Sequence, residues 1–175
     1  DGALDDLSEG ETRVETFTIE VDDGEGGTAT QEIEITVTGT NDAPRIDTAT
    51  GGTQTENVAA QGDTVATFVA SDLDGDAITY SITSGNANGY FEILDNTSGV
   101  VTLTAAGELA LANNALTDAD YVLGVTANDG TVDSAEARAT ITFDGINDAP
   151  RIDTATGSTQ TENVAAQGDT VATFV

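Results

Sequence analysis

The feature that most constrains this chain is an internal repeat. The 29 residues Asn41–Val69 return as Asn147–Val175, displaced by 106 positions, and the two copies differ only at Gly52 and Ser158. Because the second copy stops where the first runs on, we expect the chain to be a window on a tandem array. A unit of about 106 residues is the size of one small domain. Function is therefore to be sought in the array and its junctions, not in a catalytic pocket.

Apolar and polar residues alternate along most of the chain, which predicts β-strands rather than helices. The alternating segments 17–21 and 33–37 flank a glycine-rich turn and predict a hairpin. Strands of the complete unit are predicted around Val58 and over 64–70, 78–82, 91–94, 100–103, 121–127 and 137–143. Seven short strands separated by turn residues indicate an all-β fold, an immunoglobulin-like β-sandwich. Segment 105–112 is predicted to form at most one helical turn, because Gly107 weakens a helix.

The units are separated by the sequence Asn-Asp-Ala-Pro, at 41–44 and 147–150. Proline lacks a backbone N–H and suits a junction between sheets. We expect residues 1–40 to be the last strands of an upstream domain, 41–146 one complete domain, and 147–175 the first strands of the next. Each partial domain would expose an apolar face and an unpaired edge. We expect these ends to fray or to be completed by neighbouring chains.

The chain is strongly acidic, with 32 acidic against 4 basic residues and a net charge of -28. This charge argues against nucleic acid and anionic membranes as partners. Two carboxylates about 4 Å apart repel by roughly 4 kcal/mol at an effective dielectric of 20. Bound divalent cations would relieve that repulsion, and the alternative is a protein adapted to salty water. Cysteine is absent, so no disulfide can form, and no stretch reaches the ~20 apolar residues of a membrane span.

Carboxylates concentrate at turns, in spacings that suit calcium. Asp72, Asp74 and Asp76 alternate directly after a predicted strand. Calcium takes about six to eight oxygen ligands from carboxylates, carbonyls and amide side chains. An EF-hand is excluded because Gly75 stands at the fourth loop position and Thr83 at the twelfth, where glutamate belongs. The alternative interpretation of the motif is a solvated acidic turn.

The order of the motifs resembles the calcium-binding scheme of cadherin repeats, as found in the cadherin-like and VCBS-type repeats of large bacterial surface adhesins of the RTX type. The matching motifs are Thr55-Glu56-Asn57, Asp72-x-Asp74, Ala127-Asn128-Asp129 and Asn147-Asp148-Ala149-Pro150. The resemblance covers essentially the whole chain. For the family's acid between the fifth and sixth strands, only Asp118 and Asp120 are candidates. The first linker also has Thr38 where the second has Asp144.

The resemblance implies calcium ions at two domain junctions. The first junction would use Asn41, Asp42, Asp72, Asp74 and Asp129, with Glu11 as a further candidate. The second would use Glu56, Asp144, Asn147 and Asp148. We expect the first site to be the better formed.

The function implied by the resemblance is mechanical. The chain would be an extender repeat of an extracellular adhesin or surface fibre, made rigid by calcium. It would project an adhesive tip or support cell–cell or biofilm attachment. Its partners would be calcium ions and adjacent repeats, with lateral association of identical chains left open.

Two other classes of function compete with a spacer. An enzyme is not expected, because nucleophile schemes based on His, Cys or Lys need residues that the chain lacks, and paired-carboxylate hydrolysis needs a substrate cleft. A module that binds a glycan, a peptide or an identical chain is the alternative. Tyr90 is the one obvious surface aromatic, although a loop aromatic that caps the core is the favoured interpretation. The threonine-rich stretch 48–55 could suggest an ice-binding type of surface, but it spans less than one regular face.

Overall fold

The computed structural model describes residues 6–113, 115–116, 119–150, 152, 154–159 and 170–174. The chain divides into two compact units, Asp1–Gly145 and Ile146–Val175. The first unit holds strands β1 to β10 and helix α1, and the second holds β11 and β12.

The first unit begins with the predicted hairpin, which the structure confirms. Strand β1 (Thr12–Asp22) pairs antiparallel with β2 (Thr28–Thr38) in an unbroken register. The turn is shaped by Gly24 and Gly26, whose φ angles of 75° and 98° favour glycine. Asp23 stabilises the turn, since its Oδ1 accepts hydrogen bonds from the backbone N–H groups of residues 25 and 27.

A β-sandwich of two four-stranded sheets follows. Its elements are β3 (Arg45–Gly51), β4 (Thr53–Thr55), β5 (Thr64–Ser71), β6 (Thr79–Ser84), β7 (Phe91–Glu92), β8 (Val100–Leu103), α1 (Ala105–Ala112), β9 (Ala119–Asn128) and β10 (Ala137–Asp144). One sheet has the order β4-β10-β9-β6 and the other β3-β5-β8-β7. Strand β4 pairs with β10 in parallel, and the remaining pairs are antiparallel. The all-β prediction is confirmed.

The core lies between the two sheets and is apolar. Because successive side chains of a strand point to opposite faces, alternate residues of β9 and β10 enter it. Its largest fully buried apolar side chains include Phe68, Leu103, Leu123, Ile141 and Phe143. Phe143 also contacts the rings of Phe91 and Tyr121. The alternation read from the sequence thus marks the inner faces of the sandwich.

The strand predicted around Val58 is wrong. Val58 lies in a turn and its side chain is exposed, while Asn57 has a φ of 60°, in the left-handed region that asparagine tolerates. The first strands of the sandwich are instead β3 and β4, which precede this turn. They escaped prediction because their sequence is rich in threonine and glycine and has little apolar alternation.

The helical segment is longer than predicted. Helix α1 has eight residues, which is about two turns. Thr104 caps it by accepting a hydrogen bond at Oγ1 from Gly107 N, at 3.1 Å. Gly107 is buried, and a Cβ atom at this position would lie 2.5 Å from the Tyr90 carbonyl oxygen. Close packing therefore requires the glycine that weakens the helix. Across the described ranges, no helix has the length and apolar character needed to cross a membrane.

The second unit repeats one pairing of the first. Strand β11 (Ala155–Gly157) pairs antiparallel with β12 (Ala172–Phe174). Its register is that of β3 and β5, because Ala155 opposite Phe174 corresponds to Ala49 opposite Phe68 after displacement by 106 positions. The repeated sequence therefore makes the same strand pair in both copies.

Candidate metal centre

Three carboxylates gather in the loop that follows β5. Asp72, Asp74 and Asp76 each offer an oxygen, and these oxygens lie within 4.8 Å of one another. The loop is shaped locally, since Asp72 Oδ1 accepts hydrogen bonds from the backbone N–H groups of Asp74 (2.9 Å) and Asp76 (3.2 Å). Gly75, at a φ of 79°, completes the turn. The motif of alternating aspartates thus folds into one cluster.

Two oxygens of this cluster are buried without a hydrogen bond from any described residue. They are Asp72 Oδ2 and Asp74 Oδ1. An unsatisfied buried polar group costs about 1–3 kcal/mol, and more when it is charged. Since the cluster offers oxygen donors alone and is anionic when its carboxyls are ionised, its ligand chemistry fits a hard divalent cation.

The linker between the hairpin and β3 is held against this cluster. Asp42 N donates a hydrogen bond to Asp74 Oδ2 at 2.7 Å, across 32 residues of sequence. Asn41 Nδ2 donates to Asp129 Oδ2 at 2.9 Å, across 88 residues. Asp129 follows β9 directly, so the linker meets the loops after β5 and β9. The fold thereby places five of the predicted ligands of the first junction at one end of the sandwich: Asn41, Asp42, Asp72, Asp74 and Asp129.

Asp129 is held in its charged form. Its carboxylate accepts hydrogen bonds from the Asn41 side chain and from the backbone N–H groups of Val132 and Thr131. These bonds, the Asn41 bond foremost, lower the pKa of Asp129 below its usual range. A metal ligand must be deprotonated, so this environment prepares the group for a cation.

The structure does not bring every predicted residue of this junction to the cluster. The Glu11 side chain is exposed, and the contacts of this residue among described residues are backbone ones, such as the bond from Gly39 N to Glu11 O at 2.8 Å. Its role as a ligand stays a prediction. Conversely, Ser8 Oγ donates to Asp74 O at 3.4 Å, a contact across 66 residues for which the sequence gives no signal. Asp76, the third aspartate of the motif, also joins the cluster.

Two residues predicted for the second junction, Glu56 and Asp144, belong to the first unit. They lie at the end of the sandwich opposite to the aspartate cluster. Strand β10 runs antiparallel to β9 and so away from Asp129, and it ends at Asp144. Glu56 N donates to Asp144 O at 2.9 Å, which continues the parallel pairing of β4 and β10. The Glu56 side chain is fully buried, whereas Asp144 is exposed.

Asn147 and Asp148 belong to the second unit, and both are exposed. Asn147 Nδ2 donates to Asp148 O at 3.3 Å, as Asn41 Nδ2 donates to Asp42 O at 3.2 Å in the first copy. The linker therefore makes the same local bond in both copies. A shared site of Glu56, Asp144, Asn147 and Asp148 stays a prediction.

Asp118 and Asp120 are the candidates for the acid that the resemblance implies between the fifth and sixth strands. Asp118 lies outside the described residues. Asp120 is on β9, opposite Thr142 of β10, and its Oδ1 accepts a hydrogen bond from Thr142 Oγ1 at 2.7 Å. Asp120 thus joins two strands of one sheet.

The features considered for a ligand-binding surface have structural roles. Tyr90 is half-buried and packs against the core, while its carbonyl oxygen accepts a hydrogen bond from Thr104 N at 2.9 Å. The interpretation that it caps the core is confirmed. The threonine-rich stretch 48–55 is divided between β3 and β4, which belong to different sheets. Its threonines therefore do not form one continuous strand face.

Comparison with known proteins places the fold. No protein-family model matches the chain. Human cadherin EGF LAG seven-pass G-type receptor 2 is 36% identical over 106 residues, which are 59% of this chain and 4% of that protein. The mouse protein of the same name is 35% identical over the same length, with the same shares of the two chains. The chain thus spans a small fraction of the relatives that it matches.

A solved cadherin structure is similar to a larger part of the chain. Drosophila N-cadherin EC1-4 is 26% identical with a TM-score of 0.54, and the match covers 85% of this chain and 37% of that chain. The sheet order, the core and this similarity agree. The chain has a cadherin-like β-sandwich fold.

Proposed function

We propose that this chain is a structural repeat of an extracellular adhesin or surface fibre, made rigid by calcium at its domain junctions. The observation that carries the proposal is the pair of buried carboxylate oxygens, Asp72 Oδ2 and Asp74 Oδ1, beside a linker that is bonded to the same cluster. The similarity to N-cadherin and to the cadherin receptor supports an extracellular, adhesion-type role. A bacterial source, and a place in a biofilm or cell-surface fibre, are part of the proposal.

Calcium would be held at the first junction by the residues that the fold brings together there. The ligands would come from the linker (Asn41, Asp42), from the loop after β5 (Asp72, Asp74, Asp76) and from the loop after β9 (Asp129). The cation would supply the positive charge that the buried oxygens lack, and it would cancel the mutual repulsion of the carboxylates. Ser8, which already reaches Asp74, would tie the segment before the hairpin to the same place.

The proposed domain organisation follows the linkers. Residues 1–40 would be the last strands of one domain, 41–146 a complete domain and 147–175 the first strands of the next. The identical pairing of β3 with β5 and of β11 with β12 supports a shared domain plan. The second junction would repeat the first, with Glu56, Asp144, Asn147 and Asp148 as its ligands on the side contained in this chain.

The mechanism would be mechanical. An acidic linker repels itself without a cation, whereas calcium would tie it to the loops of the following domain. Extracellular modules bind calcium with dissociation constants of about 0.1–1 mM. At a hundredfold excess of ion, one site would stabilise the folded state by roughly 2.7 kcal/mol. Repeated along an array, such sites would make a flexible string into a rod in calcium-rich surroundings, able to hold an adhesive tip away from a cell.

A calcium titration of the chain tests the proposal. Thermal unfolding and the hydrodynamic radius are measured at each calcium concentration. We expect the unfolding temperature to rise at millimolar calcium, and magnesium to replace it poorly because it retains its water shell. Asp74→Asn should lose most of this response. Glu25→Gln is the matched control, since it removes one charge at the hairpin tip, an eleven-residue strand away from the linker.

Two results would contradict a junction site. The first is that calcium changes neither the unfolding temperature nor the hydrodynamic radius. The second is that Asp74→Asn and Glu25→Gln respond to calcium to the same extent. The acidic loops would then be solvated surface. Binding of the chain to glycans or to cell surfaces would in that case favour the alternative, a ligand-binding adhesion module.

A further inference from the structure

Strand β6 lies at an edge of its sheet, within the sandwich and between the two linkers. Tyr80 N donates a hydrogen bond to Asn96 O at 2.7 Å, on the side away from β9. Bonded and non-bonded residue pairs alternate along two antiparallel strands, so Ile82 also points its N–H and C=O away from β9. No described residue bonds to these two groups, and a groove of about 380 Å³, lined by residues 82–87, lies beside them. Ile82 therefore offers one donor and one acceptor at an open sheet edge.

The other edges of the sandwich are protected. At β7 the Asn86 side chain takes the place of a neighbouring strand, since its Nδ2 donates to Phe91 O at 2.7 Å and its Oδ1 accepts from Phe91 N at 3.0 Å. Strand β3 carries the ion pair of Arg45 with Asp47, and charged side chains on an edge discourage pairing. Strand β4 has only three residues. Among these four edges, as far as the structure describes them, β6 is the one with neither a charge nor a side-chain cap at its centre.

Charge also distinguishes this edge from the rest of the chain. Residues 77–91 form the longest stretch of the chain without a charged residue, and β6 lies inside it. Glu136, which accepts a hydrogen bond from Thr83, is itself paired with Arg138 at 2.8 Å, so their charges offset each other. Two copies that each carry a net charge of -28 repel, and the repulsion is least where the contact holds no charge. The β6 edge is therefore the place where identical copies can meet.

The edge is also complementary to itself. With a twofold axis at Ile82, the Ile82 N–H of each copy would donate to the Ile82 C=O of the other. Ser81 of one copy would then lie opposite Thr83 of the other, and such cross-strand hydroxyl pairs stabilise antiparallel strands. Both side chains are exposed, so they are free to meet a second strand. A second copy thus supplies every group that the open edge needs.

We propose that two copies of the chain pair through β6, antiparallel around a twofold axis at Ile82. Their two four-stranded sheets continue across the contact as one sheet. Because the same surface is used on both copies, the contact is isologous and closes at a dimer. This inference goes beyond the proposed role as a spacer, since it names a lateral partner and the strand that binds it. None of the proposed calcium ligands takes part.

Sedimentation velocity of the full chain at rising concentration tests the association, in about 0.15 M sodium chloride to screen charges farther apart than about 8 Å. Wild type should form a dimer. Ser81→Asp should weaken this dimer about tenfold, because it places a negative charge opposite Thr83 of the second copy, which contacts Glu136. Thr140→Asp is the matched control and should leave the dimer unchanged. Thr140 is exposed on the same face of the sheet but lies on β10, two strands from the edge.

Disulfide crosslinking tests the register of the contact. The chain has no cysteine, so an introduced one can bridge only to another copy. Directly opposite residues of two antiparallel strands have Cα atoms about 4.5–5.5 Å apart, which is within the range of a disulfide. Ile82→Cys should therefore crosslink to itself, and a mixture of Ser81→Cys with Thr83→Cys should crosslink faster than either variant alone. The mixture keeps the test decisive if Ile82→Cys disturbs the core, because Ser81 and Thr83 are exposed.

Thr140→Cys measures the rate of chance collisions between copies, since its side chain is exposed and away from the edge. Three results would overturn the proposal. The first is a wild type that stays monomeric at every concentration. The second is a Ser81→Asp variant that associates as strongly as Thr140→Asp. The third is a mixture of Ser81→Cys with Thr83→Cys that crosslinks no faster than Thr140→Cys.

Discussion

The two oxygens of Asp74 have different surroundings, and this difference decides what the residue contributes. Oδ2 accepts a hydrogen bond from Asp42 N, whereas Oδ1 is buried without a hydrogen bond from any residue that the structure describes. The first oxygen can be replaced by an amide oxygen, which is also an acceptor. The second oxygen, Oδ1, would be stabilised by a bound cation or by removal of the negative charge of Asp74.

The effect of Asp74→Asn on the free energy of unfolding should therefore have opposite signs in the absence and in the presence of calcium. In a chelator the variant should be as stable as wild type or more stable, because it removes repulsion from Asp72 and Asp76. At a hundredfold excess of calcium it should be less stable than wild type by roughly 2.7 kcal/mol if binding is lost, since the Asp74 carboxylate is a charged ligand of the proposed site. Thermal unfolding of both proteins in both buffers measures this. A variant that is equally destabilised in both buffers would show a purely structural carboxylate.

Glu136 offers a test by pH away from the cluster. Its carboxylate accepts hydrogen bonds from Thr83 Oγ1 (2.7 Å) and Arg138 Nε (2.8 Å), and these groups, with Ser84, lower its pKa below the usual value of 4.5. A depressed folded-state pKa contributes stability above the unfolded pKa, and this contribution is lost as the pH falls through the folded value.

Glu136→Gln should thus be less stable than wild type at neutral pH, and the difference should close in acid below pH 4.5. Urea unfolding from neutral to acidic pH would measure the gap. A gap that stays constant over the whole range would show that the charge of Glu136 has no part in it.

At the scale of elements, helix α1 shows packing overriding local propensity. Replacing glycine by alanine inside a helix ordinarily stabilises it by about 1 kcal/mol. At Gly107 the added Cβ would lie 2.5 Å from Tyr90 O and 2.6 Å from Leu103 Cδ1. Overpacking of this kind costs about 1–3 kcal/mol.

We therefore expect Gly107→Ala to destabilise the sandwich in thermal unfolding, in spite of its better helix propensity. Ala106→Gly is the reference, because Ala106 is exposed in the same helix and its replacement should cost only the propensity term of about 1 kcal/mol. A stabilised Gly107→Ala would mean that the helix moves away from Tyr90 at little cost.

The two hairpins of the first unit show how burial depends on context. Strands β1–β2 and β9–β10 have the same register and the same apolar alternation, yet one apolar face is exposed and the other is buried. The difference is the presence of β3, β5 and β8 across the sandwich from β9–β10. Alternation therefore predicts which face of a strand is apolar, while burial depends on the elements that pack against it.

For the whole molecule, charge is the dominant global term. A net charge of -28 on 175 residues favours expanded states through self-repulsion. Sodium chloride should raise the unfolding temperature because it screens the repulsion between acidic side chains over the whole surface. The screening length falls to about 10 Å at 0.1 M salt. Calcium in the millimolar range should exceed this effect at equal ionic strength, and only the calcium increment should disappear in Asp74→Asn. Equal effects of both salts would leave screening as the whole explanation.

The sequence alone predicted the features that depend on near neighbours. Alternation predicted the hairpin, most strands of the sandwich and their apolar faces, because strand geometry repeats every two residues. The linker bond of Asn41 to Asp42 recurs at Asn147 and Asp148 because it needs only adjacent residues. The repeat of 106 residues likewise predicted that both copies fold alike locally, and β11–β12 has the register of β3–β5. Strands β3 and β4 were missed because their threonine-rich sequence carries little apolar pattern.

The tertiary structure alone decided the contacts between distant segments. Asn41 reaches Asp129 across 88 residues, and Ser8 reaches Asp74 across 66, because sheet packing brings the linker beside the loops after β5 and β9. Burial of the Asp72 and Asp74 oxygens and the close fit at Gly107 arise in the same way. These features depend on how two sheets and a linker pack in space. Local sequence chemistry determines each element, and only packing determines what each element faces.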